Sequence, residues 1–260
     1  VQNHLTYALF HHVAIWDNSK YWPKAYGVNG FVTVTGEKMA KSKGNIIPLK
    51  DLVEQHGADL VRINITTSNE NMDDADWKED SLKTFSSRLT ALEQLVRDCE
   101  KGKRKSVNNL DKYMETILQN CIKGATENYE VMKFRSGMQY VAFQLWNELH
   151  YYIERCGGIK NANKNILKEC VFSLVKLLAP FTPHISEELW SKLGNKELVS
   201  LESWPTFEES KIDKNVLELE NIFKKNQEDL NQILKLAGKK KNAYLYFVTD
   251  KEFNYFKESL

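Results

Sequence analysis

The sequence predicts an α/β segment followed by a mainly α-helical bundle, so that helix predominates over the whole chain. Two observations support this. Apolar residues recur at spacings of three and four over most of residues 80–236, which is typical of amphipathic helices. Before them, residues 25–35 are rich in β-branched and aromatic residues around an Asn-Gly pair, which indicates a strand and a turn. One convincing strand is too few for a doubly wound sheet, so we expect only part of an α/β domain.

Helix, strand, loop and helix follow one another at the start of the chain. A helical stripe covers residues 1–16, and a lysine-rich loop at 36–45 follows the strand. Pro48 is well placed to begin a short helix, and Gly57 is well placed to end it. Residues 58–66 are helical or ambiguous.

Six more helices are predicted in the rest of the chain. Their apolar stripes cover residues 82–96, 110–122, 138–156, 166–178, 182–193 and 219–236. Thr182 and Pro183 form an N-cap and first-turn pair for the fifth of them. Short connections favour an antiparallel bundle. Residues 243–249 (AYLYFVT) predict a further strand.

Length and composition are those of an ordinary globular protein. Of the 260 residues, 42% are hydrophobic and 27% are charged, which excludes a disordered chain. No apolar run approaches the ~20 residues that a bilayer requires, so we expect no membrane partner. Lysine and arginine number 36 against 35 acidic residues, so total charge identifies no partner. The four cysteines lack the spacing of zinc ligands, and we expect reduced thiols in a cytoplasmic protein with no metal site.

The loop at residues 36–45 (GEKMAKSKGN) is the most informative segment. Lys38, Lys41 and Lys43 lie within six positions, and three ammonium groups repel one another unless an anion lies among them. Glycines at both ends let the loop open and close. These properties suit a polyphosphate, and better still a departing pyrophosphate that gains negative charge. A solvated surface loop is the alternative that composition leaves open.

Two further basic clusters are candidates for contact with RNA phosphates. They comprise Arg97, Lys101, Lys103, Arg104 and Lys105 in the first, and Lys239, Lys240 and Lys241, with Lys235 nearby, in the second. Both lie in connections between helices, where lysine is also common as a solvated residue. The sequence leaves both interpretations open.

Several acidic and histidine residues invite a metal-site interpretation that the spacing does not favour. Asp73, Asp74 and Asp76 are better explained as an acidic turn that enters a helix, with Trp77 packed into a domain junction. His4 and His11 are two helical turns apart, about 10 Å, which is too far for shared ligation. His184, near a predicted helix start, is expected to cap or pack.

The loop sequence KMAKS, followed by KGN, resembles the Lys-Met-Ser-Lys-Ser signature of class I aminoacyl-tRNA synthetases. The resemblance implies that Lys38 and Lys41 are catalytic and contact the phosphates of ATP, which enters as a substrate with Mg²⁺. Met39, Ser42 and Lys43 would complete the ATP site, and no prosthetic group is implied. Ala40 departs from the signature, because the family usually has serine there.

Four other segments resemble the same family in the same order. Residues 27–45 look like the strand and turn before this loop, which implies that Gly27 and Val28 line the adenine pocket. Residues 57–62 (GADLVR) match the helix after it. Residues 3–16 look like the leucyl enzymes of archaeal and eukaryotic type, which implies that His4 lies in the pocket for leucine and its adenylate, although an ordinary helix histidine is an equal alternative. Residues 179–190 (APFTPHISEELW) resemble the signature of the anticodon-binding bundle.

The resemblance implies a division of the chain into four parts. These are 1–69, the C-terminal part of a class I Rossmann-type catalytic domain; 70–106, a junction helix; 107–207, the anticodon-binding helical bundle; and 208–260, the start of a C-terminal extension. The basic clusters would then face tRNA.

The implied activity is the ATP-dependent activation of leucine and its transfer to tRNA(Leu). The family's His-x-Gly-His element and the editing insertion do not occur among these residues, and the chain starts at Val1 inside a helical stripe. We therefore expect an N-terminal catalytic portion, in the same or a separate chain, without which this chain is inactive. Two alternatives stay open: a non-catalytic RNA-binding paralogue, and an isoleucyl, valyl or methionyl relative.

Overall fold

The computed structural model describes residues 2–238. The chain divides into two compact units, Val1–Asp213 and Lys214–Leu260. The predicted strand at 243–249 and the basic residues Lys239, Lys240 and Lys241 lie outside the described residues. The four-part domain division given above stays a prediction.

The N-terminal region combines helices with one small sheet. Its elements are α1 Gln2–Ile15, β1 Val32–Val34, β2 Glu37–Lys38, α2 Leu49–His56, α3 Ala58–Ser68 and β3 Ala75–Trp77. The strand order is β2-β1-β3, with β1 antiparallel to β2 and parallel to β3. This confirms the predicted order of helix, strand, loop and helix, although the predicted strand at 25–35 shortens to three residues.

Strand β3 corrects one prediction. Ala75 and Trp77 are buried and Asp76 lies between them with partial exposure, so residues 75–77 alternate like a strand and do not form a helix-entry turn. The reason is long-range pairing, since Thr33 of β1 lies opposite Asp76. Trp77 does pack inward, against Leu52 and Val61. A three-residue strand is too short to show a period of two in the sequence.

The helical part confirms the prediction of a mainly α fold. Its elements are α4 Glu79–Asp98, α5 Asn109–Glu130, α6 Phe134–Met138, a π-helix at Gln139–Leu145, α7 Trp146–Arg155, α8 Lys164–Leu178 and α9 Pro183–Lys192. Helices α5 and α8 pack together at the centre. Their apolar stripes are fully buried, as Met114, Cys121 and Leu174 show.

The predicted single helix at 138–156 is instead interrupted by the π-helix. Val141, Leu145 and Leu149 are nevertheless all completely buried, because the wider turn keeps them on the face towards the core. Arg88 of α4 donates a hydrogen bond to the carbonyl of Ala142 within this segment. The spacing of four between these apolar residues also fits an α-helix, and π-helical turns are rare, so the sequence did not indicate the interruption.

Helix α9 begins as predicted but is capped differently. Thr182 occupies the N-cap position without a capping hydrogen bond. Its hydroxyl instead contacts Leu178 O and Ser186 Oγ. The amide of Ile185 in the first turn donates to Asp59 Oδ2 of α3, at 2.6 Å. The cap therefore comes from a residue over 120 positions away.

The second unit contains helix α10, Lys214–Ala237. It confirms the predicted helix at 219–236 and begins five residues earlier. Among residues 2–238, no helix has both the length and the apolar character needed to span a membrane.

Candidate functional site

A tight hairpin presents the lysine loop. Strands β1 and β2 are joined by Thr35 and Gly36, whose φ angles are +52° and +80°. A two-residue hairpin turn with positive φ at both positions suits the twist of antiparallel strands, and glycine is the residue that adopts this conformation without strain. Lys38 pairs with Thr33 across the hairpin. The first lysine of the loop is therefore fixed at its backbone by the sheet.

Asp76 of β3 supports this turn from the neighbouring strand. Its Oδ1 accepts hydrogen bonds from Gly36 N and Thr33 Oγ1, both at 2.9 Å. The Gly36 amide, with help from Thr33 and Lys78, lowers the pKa of Asp76 below its ordinary range. The sequence did not indicate this role, since only the pairing of β1 with β3 brings Asp76 to the turn.

Asn45 closes the other end of the loop. Its Oδ1 accepts from Ala40 N at 2.9 Å, and its Nδ2 donates to Lys38 O at 3.2 Å. Between them, Lys41–Lys43 form one turn of 3₁₀-helix, which ends at Gly44 with a φ of +67°. The backbone of the loop is thus held by an amide side chain, and Ala40 contributes no side-chain hydrogen bond.

The three lysines of the loop have different partners. Lys43 Nζ lies 3.1 Å from Glu37 Oε2, and Lys38 Nζ lies 3.7 Å from the centroid of the Phe31 ring. Lys41 is exposed and has no ion pair with any residue in the range 2–238. Exposed ion pairs and cation–π contacts each contribute only about 0–1 kcal/mol, so an entering polyphosphate can replace them.

Of the other residues predicted for the nucleotide and leucine sites, two lie in the loop and three lie outside it. Met39 is half-buried and Ser42 is exposed within the loop. Gly27 and Val28 line a cavity of about 460 Å³, which residues 69–71 and Phe134 also line. The loop lysines do not line it. His4 is exposed on α1.

The first basic cluster is enlarged by lysines from a distant part of the chain. Residues 103–105 run beside 160–164, since Lys103 N donates to Lys160 O at 3.1 Å and Lys164 N donates to Arg104 O at 3.2 Å. We call the resulting surface the basic tip; its lysines are Lys101, Lys103, Lys105, Lys160, Lys164 and Lys168.

Carboxylates compensate only part of the charge of the basic tip. Asp98 pairs with Lys101 at 2.6 Å, and Glu100 pairs with both Lys164 and Lys168. Among residues 2–238, the ion pairs of these six lysines involve two carboxylates. The sequence did not indicate Lys160, Lys164 and Lys168 as members of this surface, because only the fold brings them beside residues 101–105.

Arg104 has a structural role that the prediction of an RNA contact did not foresee. Its Nη2 donates to Asp111 Oδ1 at 2.7 Å, and its Nε donates to Asn161 O at 2.9 Å. Asp111 is completely buried, and the ion pair raises the pKa of Arg104. The guanidinium therefore stabilises the bundle, and its predicted contact with RNA stays a prediction.

Arg97 lies on the last turn of α4, where its Nη1 is 2.7 Å from Glu93 Oε1. It lies outside the basic tip as defined here. Within residues 2–238, no group of three or more His, Cys, Asp or Glu side chains is arranged to hold a metal ion. Cys99, Cys121 and Cys170 are buried as free thiols, and burial raises the pKa of each.

Two family models match the chain. One, described as the anticodon-binding domain of tRNA ligase, covers residues 111–246. The other, described as tRNA synthetases class I (M), covers residues 5–91. The first match includes the helical bundle from the start of α5, and the second includes the lysine loop.

Known proteins similar to this chain are much longer. The chain is 35% identical to leucine–tRNA ligase of Pyrococcus furiosus over 256 residues, which are 96% of the chain and 26% of that protein. For leucine–tRNA ligase of Archaeoglobus fulgidus the identity is 36% over 245 residues, 94% of the chain and 25% of that protein. The chain thus spans about a quarter of the curated relatives' length.

A solved structure has a similar fold. It is a ternary complex of LeuRS from Agrobacterium radiobacter K84 with tRNA and LeuAMS, with a TM-score of 0.60 and 28% identity. The match covers 71% of this chain and 24% of that one.

Proposed function

This chain belongs to the tRNA ligases that carry the matched anticodon-binding domain, since that family model covers more than half of its residues, and on this premise we propose that it forms part of a leucine–tRNA ligase. The observation that carries the proposal is the lysine loop, held at its ends by Asp76 and Asn45 while Lys41 stays exposed. The similarity to leucine–tRNA ligases over nearly the whole chain supports leucine over isoleucine, valine and methionine.

The proposed reaction has two steps. The carboxylate of leucine attacks the α-phosphate of ATP, which enters as its Mg²⁺ complex, and pyrophosphate leaves with the bonding electrons. A hydroxyl of the terminal adenosine of tRNA(Leu) then takes the leucyl group, and AMP leaves. Lys38 and Lys41 would bind the phosphates that become the leaving group. Because charge grows there only as the bond breaks, the lysines would stabilise the transition state more than bound ATP.

The helical bundle and its basic tip would bind the tRNA. Lysines recognise phosphates as point charges without reading sequence, and RNA helices are recognised chiefly by shape and backbone. A chain with a net charge of +1 needs such a local surface to attract a polyanion. The tip supplies one, on the bundle end where α4 ends and α8 begins.

We further propose that an N-terminal catalytic portion covers α1. Tyr7, Phe10 and Ile15 of this helix are 63%, 66% and 69% exposed. Several large apolar side chains exposed on one helix are typical of an interaction site. His4, which we propose to contact leucine or its adenylate, lies on the same helix. The cytoplasm stays the predicted location.

The non-catalytic alternative rests on one observation. Ala40 removes the hydroxyl that the family's signature usually carries at this position, although all three lysines remain. A paralogue of this kind would bind tRNA(Leu) and would not use ATP.

Formation of leucyl-tRNA tests the proposal. The chain is supplied with an N-terminal catalytic portion, in the same or a separate polypeptide, and charged with leucine, isoleucine, valine or methionine in parallel. We expect attachment of leucine alone, and no leucine-dependent pyrophosphate exchange by the chain by itself. Tight tRNA(Leu) binding without any charging would favour the paralogue, and charging with another amino acid would contradict the leucine assignment.

Replacing Lys103, Lys105 and Lys160 with alanine is expected to weaken tRNA(Leu) binding and to flatten its salt dependence. Each lost phosphate contact reduces the slope of log K against log salt by about 1. Binding of a tRNA(Leu) transcript is measured over a range of NaCl concentrations. The control is a triple variant of exposed lysines elsewhere, Lys50, Lys78 and Lys83, changed to alanine. An equal loss of slope in both variants would show that the basic tip has no special role.

A further inference from the structure

Helix α3 and the loop after it contact the ends of three bundle helices. The first contact is made by Asp59, which is only 4% exposed. Its Oδ2 accepts from Ile185 N at 2.6 Å, and its Oδ1 lies 2.8 Å from His184 Nδ1. The carboxylate therefore satisfies an amide in the first turn of α9 that has no partner within its own helix.

The second contact is made by Arg62, one helical turn further along α3. Its Nη2 donates to Pro180 O at 2.9 Å, and its Nε donates to Phe181 O at 3.2 Å. These carbonyls lie two and three residues after Leu178, at which α8 ends. A cation there complements the partial negative charge of a helix C-terminus, just as the carboxylate of Asp59 complements the N-terminus of α9.

The third contact is made by Glu70, just beyond α3. Its Oε1 accepts from Ser136 N at 3.0 Å, and its Oε2 accepts from Ser136 Oγ at 2.8 Å. The carboxylate thereby binds the first turn of α6. Three charged side chains of one short segment thus bind three separate helix ends.

The same segment is joined to the lysine loop through a shared core. Val61 of α3 packs with Leu52 of α2 and Trp77 of β3, and Val34 of β1 packs against them. Helix α2 begins four residues after Asn45, which closes the loop. We call β1, β2, α2 and α3 the loop platform. A displacement of α3 relative to the bundle would therefore move the platform that carries the lysines.

We propose that Asp59, Arg62 and Glu70 are positioning residues that hold the loop platform on the helical bundle, so that tRNA binding at the bundle is transmitted to the lysine loop. We call the contacts of these three side chains with the bundle the clamp. The transmission of tRNA binding rests on the proposed function, whereas the clamp does not. Breaking the clamp would leave RNA affinity intact, because none of the three residues belongs to the basic tip. It would remove the response of the platform to RNA.

Hydrogen–deuterium exchange of the 260-residue chain tests the proposal. The test variant is the double substitution Asp59→Asn with Arg62→Met, and Glu70→Gln alone serves if the double variant does not fold. The matched control is Asp51→Asn with Lys50→Met, which makes the same charge changes on the exposed face of α2. Exchange is followed in peptides covering 32–68, and in peptides from α5 and α8, with and without a tRNA(Leu) transcript.

Without RNA, we expect exchange in α2 and α3 to rise about tenfold in the clamp variants, the size expected for losing charged helix caps. Exchange in α5, to which none of the three side chains is hydrogen-bonded, should not change. With RNA, the wild type and the control should show slower exchange in 32–68, and the clamp variants should bind equally tightly without this protection.

Each contrary result is decisive. Unchanged RNA-free exchange in the clamp variants would show that the three residues do not hold α3. Protection by RNA that persists in the clamp variants would overturn the transmission. If the wild type binds no tRNA, the proposed function and the transmission fall together, while the RNA-free comparison still decides whether the clamp exists.

Discussion

Replacing Asp111 with alanine is expected to lower the free energy of unfolding by about 3–5 kcal/mol, as when one partner of a buried ion pair is removed. Asp111 is completely buried, and it accepts hydrogen bonds from Arg104 Nη2 at 2.7 Å and Tyr152 Oη at 2.6 Å. It also caps α5, since Asn108 N donates to Oδ2 at 2.9 Å. The substitution would remove the carboxylate partner of the Arg104 guanidinium and the acceptor of the buried Tyr152 hydroxyl.

Urea denaturation followed by circular dichroism measures this loss. The control is Asp80→Ala, which removes a carboxylate paired with Lys83 on the exposed surface of α4. Because exposed ion pairs are screened by solvent, the control is expected to change stability only slightly. Equal effects of the two substitutions would contradict the structural role assigned to Asp111 and Arg104.

The carboxylate of Asp111 also makes the free energy of unfolding sensitive to acid. Burial raises the pKa of Asp111, but the hydrogen bonds from Arg104, Tyr152 and Asn108 outweigh burial and lower it below the ordinary value of 3.8. A lowered folded pKa means that the contribution to stability is present above 3.8 and is lost as the pH falls through the lower folded value. Below pH 3.8, the free energy of unfolding of Asp111→Asn should therefore change less with pH than that of the wild type.

Local periodicity was sufficient to predict the helices. The stripe that includes Met114 and Cys121 became the buried face of α5, and the stripe that includes Leu174 became that of α8. These faces depend on residues three and four apart, so a short window of sequence contains the information. The same reasoning failed at β3, because a strand of three residues is defined by its partner β1 and not by its own pattern.

The candidate sites show the same contrast between residues that are close together in the sequence and residues that only the fold brings together. The lysine loop is one continuous segment, so the sequence alone could propose Lys38, Lys41 and Lys43 as candidates. The residues that support it or extend the other site come from afar: Asp76 lies 40 positions from Gly36, and Lys160 meets Lys103 only through the fold. Arg104 has a further role that the sequence did not indicate, since this residue of a basic cluster is also the partner of a buried carboxylate.

Replacing Lys41 with alanine is expected to reduce leucine-dependent pyrophosphate exchange by about 30- to 1000-fold, or about 2–4 kcal/mol of transition-state free energy, by analogy with the loss of one electrostatic stabiliser. Lys41 is the loop lysine for which this effect should be greatest. Lys43 must first leave Glu37 and Lys38 must leave the Phe31 ring, whereas Lys41 is exposed without an ion pair to residues 2–238.

The rate is measured with the N-terminal catalytic portion present, as a function of ATP concentration. Because the proposed contact strengthens only as pyrophosphate departs, kcat should fall more than the KM for ATP rises. Lys50→Ala, which removes an exposed lysine from α2, should leave both parameters unchanged. A rise in KM alone would assign Lys41 to ATP binding without catalysis. Unchanged rates would contradict a catalytic role for the loop and would favour the alternative of a solvated surface loop. Lys41 is the decisive residue because, among residues 2–238, it is the loop lysine that has neither an ion pair nor a cation–π contact.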